Sequence, residues 1–229
     1  MDVLVVCTGN ICRSPLIAAM LAHAVPGLHV ASAGTHAVVG APAAALTEAV
    51  LAERGLSAGG HTARQLTAGM VRDARLVLTA TRAHRTYAVQ LDASAADSAF
   101  TVMELARLVA AAGLPPGAGL DAVLAGAVAR LAHDPGDGYG DDDLADPVGL
   151  PLEAYERCAR ESELALAPLV LALAPRVAAT DGWYPRAGAG RLPPSYAPVA
   201  QRIEQVPSKH LVAGSTPAGR TPSDLRLCA

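Results

Sequence analysis

The feature that most restricts the fold of this chain is an apolar run, Val3-Leu4-Val5-Val6, that ends in Cys7-Thr8-Gly9-Asn10-Ile11-Cys12-Arg13-Ser14-Pro15. An Ala- and Leu-rich stretch with helical spacing, Leu16 to Ala24, follows it. In that order the three segments read as strand, tight loop and helix. Pro15 suits the first helical position, where a missing N–H costs nothing. The amides of such a loop converge at a helix N-terminus and form a nest for an anion. Arg13 adds a forked, permanently charged donor that matches a tetrahedral oxyanion. Cys7 stands where the anion would sit, and the same positive field favours its thiolate. A thiolate beneath a bound phosphate is a nucleophile aimed at phosphorus. The competing reading of Cys7 is a buried, inert thiol that closes a strand. The Gly in the loop, the Ser after the Arg and the Pro after that favour the anion loop.

With those residues in place, the stretch VLVVCTGNICRSP resembles the signature of the low-molecular-weight protein tyrosine phosphatases. The resemblance implies an α/β three-layer sandwich around a four-stranded parallel sheet, spanning residues 1–175. It implies Cys7 as nucleophile and Arg13 as the side chain on the equatorial oxygens. Thr8, Gly9, Asn10, Ile11, Cys12 and Ser14 would surround the phosphate with Arg13. It also implies that Asn10, Ser14, Ser32 and His61 form a hydrogen-bond network that holds the loop in shape. The expected chemistry is hydrolysis of a phosphomonoester, first of all phosphotyrosine in a protein, through a cysteinyl-phosphate. No metal or organic cofactor is expected, and the partner is a phosphorylated protein or a small phosphomonoester.

Further along, Leu28 to Ser32 reads as a second strand ending in the turn Ser32-Ala33-Gly34-Thr35, and Pro42 to Arg54 as a helix closed by Gly55. Strands alternating with helices indicate a parallel sheet, whose ligands bind beyond the carboxyl ends of the strands. The block from His61 to Leu66 matches the family again; without that match His61 would read as an exposed loop histidine. Arg64 reads as structural. Arg75 to Thr79 is the third strand, Thr81 to Arg85 the cap and first turn of a helix, Ala99 to Val102 the fourth strand and Met103 to Ala112 a helix. Arg82, His84 and Arg85 read as a solvated face rather than a contact for an acidic substrate.

From Gly113 to Gly140 the chain departs from the family's short connection. The expectation for about 113–140 is an inserted helix, Leu120 to Ala132, and a flexible loop near the mouth of the site. Asp141-Asp142-Asp143 are adjacent and cannot converge on one ion, so they read as a solvated turn. Asp146-Pro147 then precedes the helical pattern from Pro151 to Leu173, the place where the family carries the Asp-Pro of its general acid. A leaving oxygen needs a proton as its bond to phosphorus breaks, and Asp146 would deliver it. Asp134-Pro135 is another Asp-Pro, so order and the following helix select Asp146. The aromatics that usually follow this Asp-Pro are replaced by Val148-Gly149, and no Trp or Tyr closely follows Thr35. Tyr139 is the expected substitute wall.

Beyond residue 175 the sequence turns Pro-, Gly- and Ser-rich, so 176–229 is expected to be a disordered tail. Val199 to Gln205 and Val212 to Gly219 back-translate readily to the D-arm and T-arm of a tRNA gene. The expectation is therefore a frame that runs through such a gene, or a misplaced stop.

Composition restricts the rest. The net charge of −3 gives no general attraction to nucleic acid or an anionic membrane, so any anion site must be local. One Trp, five Tyr and one Phe leave the core to Leu, Val and Ala. No apolar stretch is long enough for a membrane span and no leader pattern opens the chain. The four cysteines, Cys7, Cys12, Cys158 and Cys228, lack metal-ligand spacing, which points to a reducing cytoplasm. Cys12 has two readings of equal weight: a reversible disulfide partner of Cys7 under oxidant, or a small residue filling space. Two rival functions remain. An arsenate reductase would use the same loop but needs thiols to relay a disulfide, and only Cys158 and Cys228 are left. A non-catalytic phosphate-binding module would be expected to lack Cys7, Arg13 or Asp146. A nucleotide P-loop is excluded because no Gly-Lys-Ser/Thr is present.

Overall fold

A computed structural model of the chain describes residues 1–132 and 142–174. The expectations for Asp134-Pro135, Tyr139, Asp141, Cys228 and the 176–229 segment fall outside the described residues. In chain order the elements are β1 (Val3–Cys7), α1 (Arg13–Ala24), β2 (Val30–Gly34), α2 (Ala45–Ala52), α3 (Ala68–Asp73), β3 (Leu76–Thr79), α4 (Arg82–Leu91), β4 (Ala99–Thr101), α5 (Val102–Ala112), α6 (Leu120–Leu131) and α7 (Leu152–Leu173), with a 3₁₀ turn at Ala93–Asp97.

The four strands form one parallel sheet in the order β2-β1-β3-β4. Val3 pairs with Val30 on one side and Leu76 on the other, so β1 is central. Its five residues are all buried, which is why it reads as a continuous apolar run rather than an alternating one. Alternation appears instead in where the side chains go. Val3 and Val5 join Leu76, Leu78 and Phe100 on one face, under α1, α2, α5, α6 and α7. Leu4 and Val6 join Val77 and Ala99 on the other, under α3 and α4. The result is the three-layer α/β sandwich that the sequence resemblance implies.

Several boundaries differ from the sequence reading. Helix α1 starts at Arg13, so Pro15 is its third residue. The first four amides of a helix lack an internal partner, so proline is tolerated there too. Strand β2 starts two residues later than expected and runs to Gly34, because Cys7 pairs with Gly34. Helix α2 begins only at Ala45, since the Ala44 amide is drawn into a tertiary bond with Ile11 O at 2.8 Å. Helix α5 follows β4 at once, with a capping box between Thr101 and Glu104 and Gly113 in the left-handed region at its end.

The inserted helix α6 also needs correction. Its start does not lie at the mouth of the site. Gly117 and Gly119 donate to Leu171 O and Ala172 O, at the last turn of α7, and Asp121 pairs with Arg75 at the entrance to β3. Both contacts are at the amino-terminal edge of the sheet, opposite Cys7. Leu120, Val123 and Ala127 sink into the larger core, so α6 is a packing element.

Candidate active site

The carboxyl ends of the strands place Cys7, Gly34, Thr79 and Thr101 along one edge, with Cys7 at the centre. Beyond it the chain must turn sharply to enter α1, and the turn is made at Asn10. Its φ of 55° is the one left-handed value at a non-glycine among the described residues. Asparagine tolerates this region better than most residues. Its buried side chain also fixes the turn: Nδ2 donates to Ser14 Oγ and Ser32 Oγ, each at 2.9 Å, and Oδ1 accepts from the Arg64 amide at 2.9 Å.

Every backbone carbonyl from Cys7 to Cys12 is bonded outward. Cys7 O, Thr8 O and Gly9 O accept from the amides of Thr35, His36 and Val38, and Ile11 O and Cys12 O from those of Ala44 and Leu16. Asn10 O meets His61 Nε2 at 2.7 Å. In a trans peptide the C=O and the following N–H point in opposite directions. The amides of Thr8 through Arg13 therefore face inward over Cys7, a ring of donors made by the main chain. Gly34 permits this approach, since a Cβ there would overlap Thr8 O and crowd Asn10.

Inside the ring, Cys7 Sγ lies 3.0 Å from Ser14 Oγ. Asn10 Nδ2 already donates to Ser14, which leaves the Ser14 hydroxyl proton for the sulfur. Arg13 is 4 % exposed against 43 % for its partner Asp146, with Nη2 and Oδ2 2.5 Å apart. Arg13 Nη1 donates to Leu144 O and Nη2 also to Thr8 Oγ1. Its Nε is buried without a hydrogen-bond partner among the described residues. Leaving such a donor unpaired costs about 1–3 kcal/mol, and an anion in the ring would satisfy it.

The structure thus brings Cys7, Thr8, Asn10, Arg13, Ser14, Ser32, His61 and Asp146 together. Gly9 and Ile11 contribute main chain to the ring. Cys12 points away, into the larger core, where its sulfur lies 3.6 Å from Tyr155 Oη. Burial raises its thiol above the usual value, and burial, with the Cys12 contact second, pushes Tyr155 up to about 12. Arg64 braces from outside, Nε donating to Ser32 O at 2.8 Å. A cavity of about 670 Å³ between α1, β2 and the segment around Ser57 to Arg64 lies behind this brace, not over Cys7.

Two expectations fail. Arg82, His84 and Arg85 are not one solvated face: Arg82 is exposed, but His84 is buried and Arg85 half-buried. His84 Nε2 lies 2.9 Å from Thr8 Oγ1, and Arg85 Nε donates to Ala99 O at 2.6 Å. Desolvation, then the charge of Arg13, lower the His84 pKa to about 4. The sequence signal for His84 is its place four residues before buried Ala88 and three after the cap Thr81. Nor are Asp142 and Asp143 a solvated turn. Asp142 is buried between Arg82 and Arg107, at 3.1 and 3.3 Å, and Asp143 Oδ1 accepts the Arg82 amide at 2.7 Å. The start of α4 supplies an amide and a guanidinium, and the two carboxylates take them. No metal-ligating cluster occurs among the described residues.

The walls of the site were also unforeseen. His36, just past Thr35, faces Tyr87 of α4 with ring centroids 6.0 Å apart. Val38 and Val39, at the bond from the Val38 amide to Gly9 O, and Val148 and Leu150, which follow Asp146, are exposed aliphatics.

Comparison with known proteins adds to this geometry. The family described as "Low molecular weight phosphotyrosine protein phosphatase" matches residues 2–113, ending where the inserted segment begins. The chain is 48 % identical over 83 residues to the low molecular weight protein-tyrosine-phosphatase Etp of Escherichia coli K12. That stretch is 36 % of this chain and 56 % of Etp, so the match spans only about half the length of that relative. A protein-arginine-phosphatase from Geobacillus stearothermophilus is 33 % identical over 160 residues, 69 % of this chain and 86 % of its own. Among solved structures, the Erwinia amylovora tyrosine phosphatase AmsI superposes with a TM-score of 0.56 at 28 % identity, over 74 % of this chain and 90 % of that one.

Proposed function

Because the chain belongs to the low molecular weight phosphotyrosine protein phosphatase family, we propose that it hydrolyses phosphomonoesters, first among them phosphotyrosine in a protein. The observation that carries this reading is the ring itself: outward carbonyls from Cys7 to Cys12, with Cys7 Sγ beneath and the Arg13 Nε donor unpaired at its side.

The Cys7 thiolate attacks phosphorus, forming the S–P bond as the bond to the leaving oxygen breaks. The loop amides and Arg13 hold the equatorial oxygens, where charge is stabilised without reorganisation. Asp146, as the carboxylic acid, gives its proton to the leaving oxygen. Water then attacks the cysteinyl-phosphate, Asp146 takes its proton, and inorganic phosphate and the thiolate are released. Asp146 shares Arg13 Nη2 with the incoming anion, so phosphate binding frees the carboxylate to reach the leaving group. Asn10, Ser14, Ser32 and His61 keep the ring in shape between turnovers.

A second reading has its own support. The relative aligned over 160 residues is named a protein-arginine-phosphatase, and the same geometry suits cleavage of a P–N bond with Asp146 protonating nitrogen. The site lacks the aromatics expected after Asp-Pro, and its walls are His36, Tyr87 and exposed aliphatics. Arsenate reduction is the weaker reading: Cys12 and Cys158 are buried, and burial raises both thiols, Cys158 to about 12. A cytoplasmic location accords with the free thiols, and no helix among the described residues is long and apolar enough to cross a membrane. The catalytic unit is residues 1–175, with the inserted helix and loop inside it.

The test is a kinetic panel of phosphotyrosine, phosphoserine and phosphoarginine peptides beside small aryl phosphates and arsenate with a thiol donor. Preference for phosphotyrosine upholds the first reading, preference for phosphoarginine the second. Arsenate-dependent thiol oxidation without ester hydrolysis overturns both.

A further inference from the structure

His84 lies on α4, outside the loop, and nothing in the proposed chemistry uses it. Both of its ring nitrogens are nonetheless committed. Nδ1 lies 2.7 Å from Oγ1 of Thr81, the residue that caps α4 and also accepts the His84 amide. Nε2 lies 2.9 Å from Thr8 Oγ1, the first side chain past the nucleophile. Thr8 Oγ1 in turn accepts from Arg13 Nη2 at 3.3 Å, the nitrogen that also meets Asp146. The ring is 7 % exposed, so it is locked between a helix cap and the anion loop.

A guanidinium only donates, so it is oriented by the acceptors placed around it. Leu144 O and Thr8 Oγ1 are two of these, on Nη1 and Nη2. The carbonyl is fixed by the backbone. Thr8 is an exposed residue whose hydroxyl would otherwise turn freely. Resting on the anion-loop reading above, we propose that His84 is a positioning residue: it fixes the Thr8 hydroxyl so that a lone pair faces Arg13, and thereby aims the guanidinium at the bound phosphate. Thr81 is the fixed point of this chain, because α4 begins there.

A double-mutant cycle on the full chain tests it, with affinity for inorganic phosphate, kcat and KM on p-nitrophenyl phosphate, and thermal melting measured for each protein. His84→Phe and Thr8→Val are each expected to weaken phosphate binding about three- to tenfold, the worth of one hydrogen bond to a charged group's partner. The double variant is expected to lose no more than the worse single one, since both break the same chain. His84→Gln and Thr8→Ser, which keep a polar group in reach, are expected to restore most of the affinity. Additive losses, or phosphate affinity unchanged in His84→Phe beside a lowered melting temperature, would make His84 a core residue and overturn the proposal. If His84→Phe does not fold, Thr8→Val and His84→Gln decide: wild-type affinity in Thr8→Val overturns it. Wild-type protein that neither binds phosphate nor hydrolyses the ester overturns the loop reading and this inference with it. A wild type active on both leaves only His84 at issue.

Discussion

The anion loop and the segment carrying Asp146 meet on one guanidinium, yet they are held in opposite ways. From Cys7 to Cys12 every carbonyl is bonded, Asn10 ties three partners together, and the neighbouring β2 turn fits so closely that only glycine is accommodated at 34. The acid segment is fastened at its stem: Asp142 to Arg82 and Arg107, Asp143 to the start of α4, and the Leu144 amide to Ala80 O. Past Leu144 only Pro147 is buried; Ala145, Asp146 and Val148 are exposed, and Asp146 is held by Arg13 and by the Val148 amide at 3.2 Å. On the proposed chemistry, the group that meets phosphorus sits in a fully bonded frame, and the group that hands on a proton sits on a short exposed stretch between Leu144 and Pro147, both buried.

Cutting each side of this contrast gives effects of decreasing size. Cys7→Ser removes the proposed nucleophile; we expect activity on p-nitrophenyl phosphate to fall by about 10⁴-fold or more while inorganic phosphate still binds by calorimetry. Asp146→Asn should cost about 10²–10³-fold on alkyl or phenyl phosphates and far less on nitrophenyl phosphate, whose leaving group needs little protonation. Equal losses on both would mean that Asp146 is not the acid. Gly34→Ala strikes the frame itself; the added Cβ forces Thr8 and Asn10 back and should destabilise the fold by about 1–3 kcal/mol in a denaturant melt, with activity falling in step. Asp142→Asn loosens only the stem, so we expect about a three- to tenfold loss of kcat on poor leaving groups with little change in phosphate affinity. Should phosphate affinity fall as much as kcat, the two segments are not separable.

The smallest effect concerns pH. Burial is the largest influence on the His84 ring and opposes its protonation, as do the charges of Arg13 and His36, while Asp143 and Asp146 favour it. Its folded pKa, about 4, lies below the usual 6.5. The unfolded chain therefore takes up a proton between these values while the folded one does not. The contribution of His84 to stability is therefore expected to be full above pH 6.5 and to decline as pH falls toward 4, with a slope of at most about 1.4 kcal/mol per pH unit for one proton. Chemical denaturation across that range should show this slope flattened in His84→Gln.

How much of this was readable from the sequence depends on where each group's partner lies. Cys7, Arg13 and Ser14 sit within one strand–loop–helix, so local order alone exposes them. Ser32, His61 and Asp146 came through resemblance, since nothing local ties them to the loop. His84 and Asp142 each look like surface in the sequence, because the partner comes from a distant segment: Thr8 of the anion loop for one, Arg82 of α4 and Arg107 of α5 for the other. The boundary shifts have the same origin. Ala44 is helix-compatible in sequence, yet its amide is drawn to Ile11 O. The start of the inserted helix lies away from the mouth of the site, and nothing in Leu120 to Leu131 reveals that the turn before it is bonded to the end of α7; the loop at 133–140 lies outside the described residues.

The outward carbonyls of the anion loop have one more consequence. Beside Arg13 and Ser14, the donors that face Cys7 belong to the main chain, so the grip on phosphate does not depend on which side chain stands at 9 or 11. Those positions are at liberty to drift, and with them the character of whatever the phosphate is attached to. A lineage could exchange one phosphorylated side chain for another by altering Ile11, Val38 or Val148, and never pass through an ancestor unable to hold the anion.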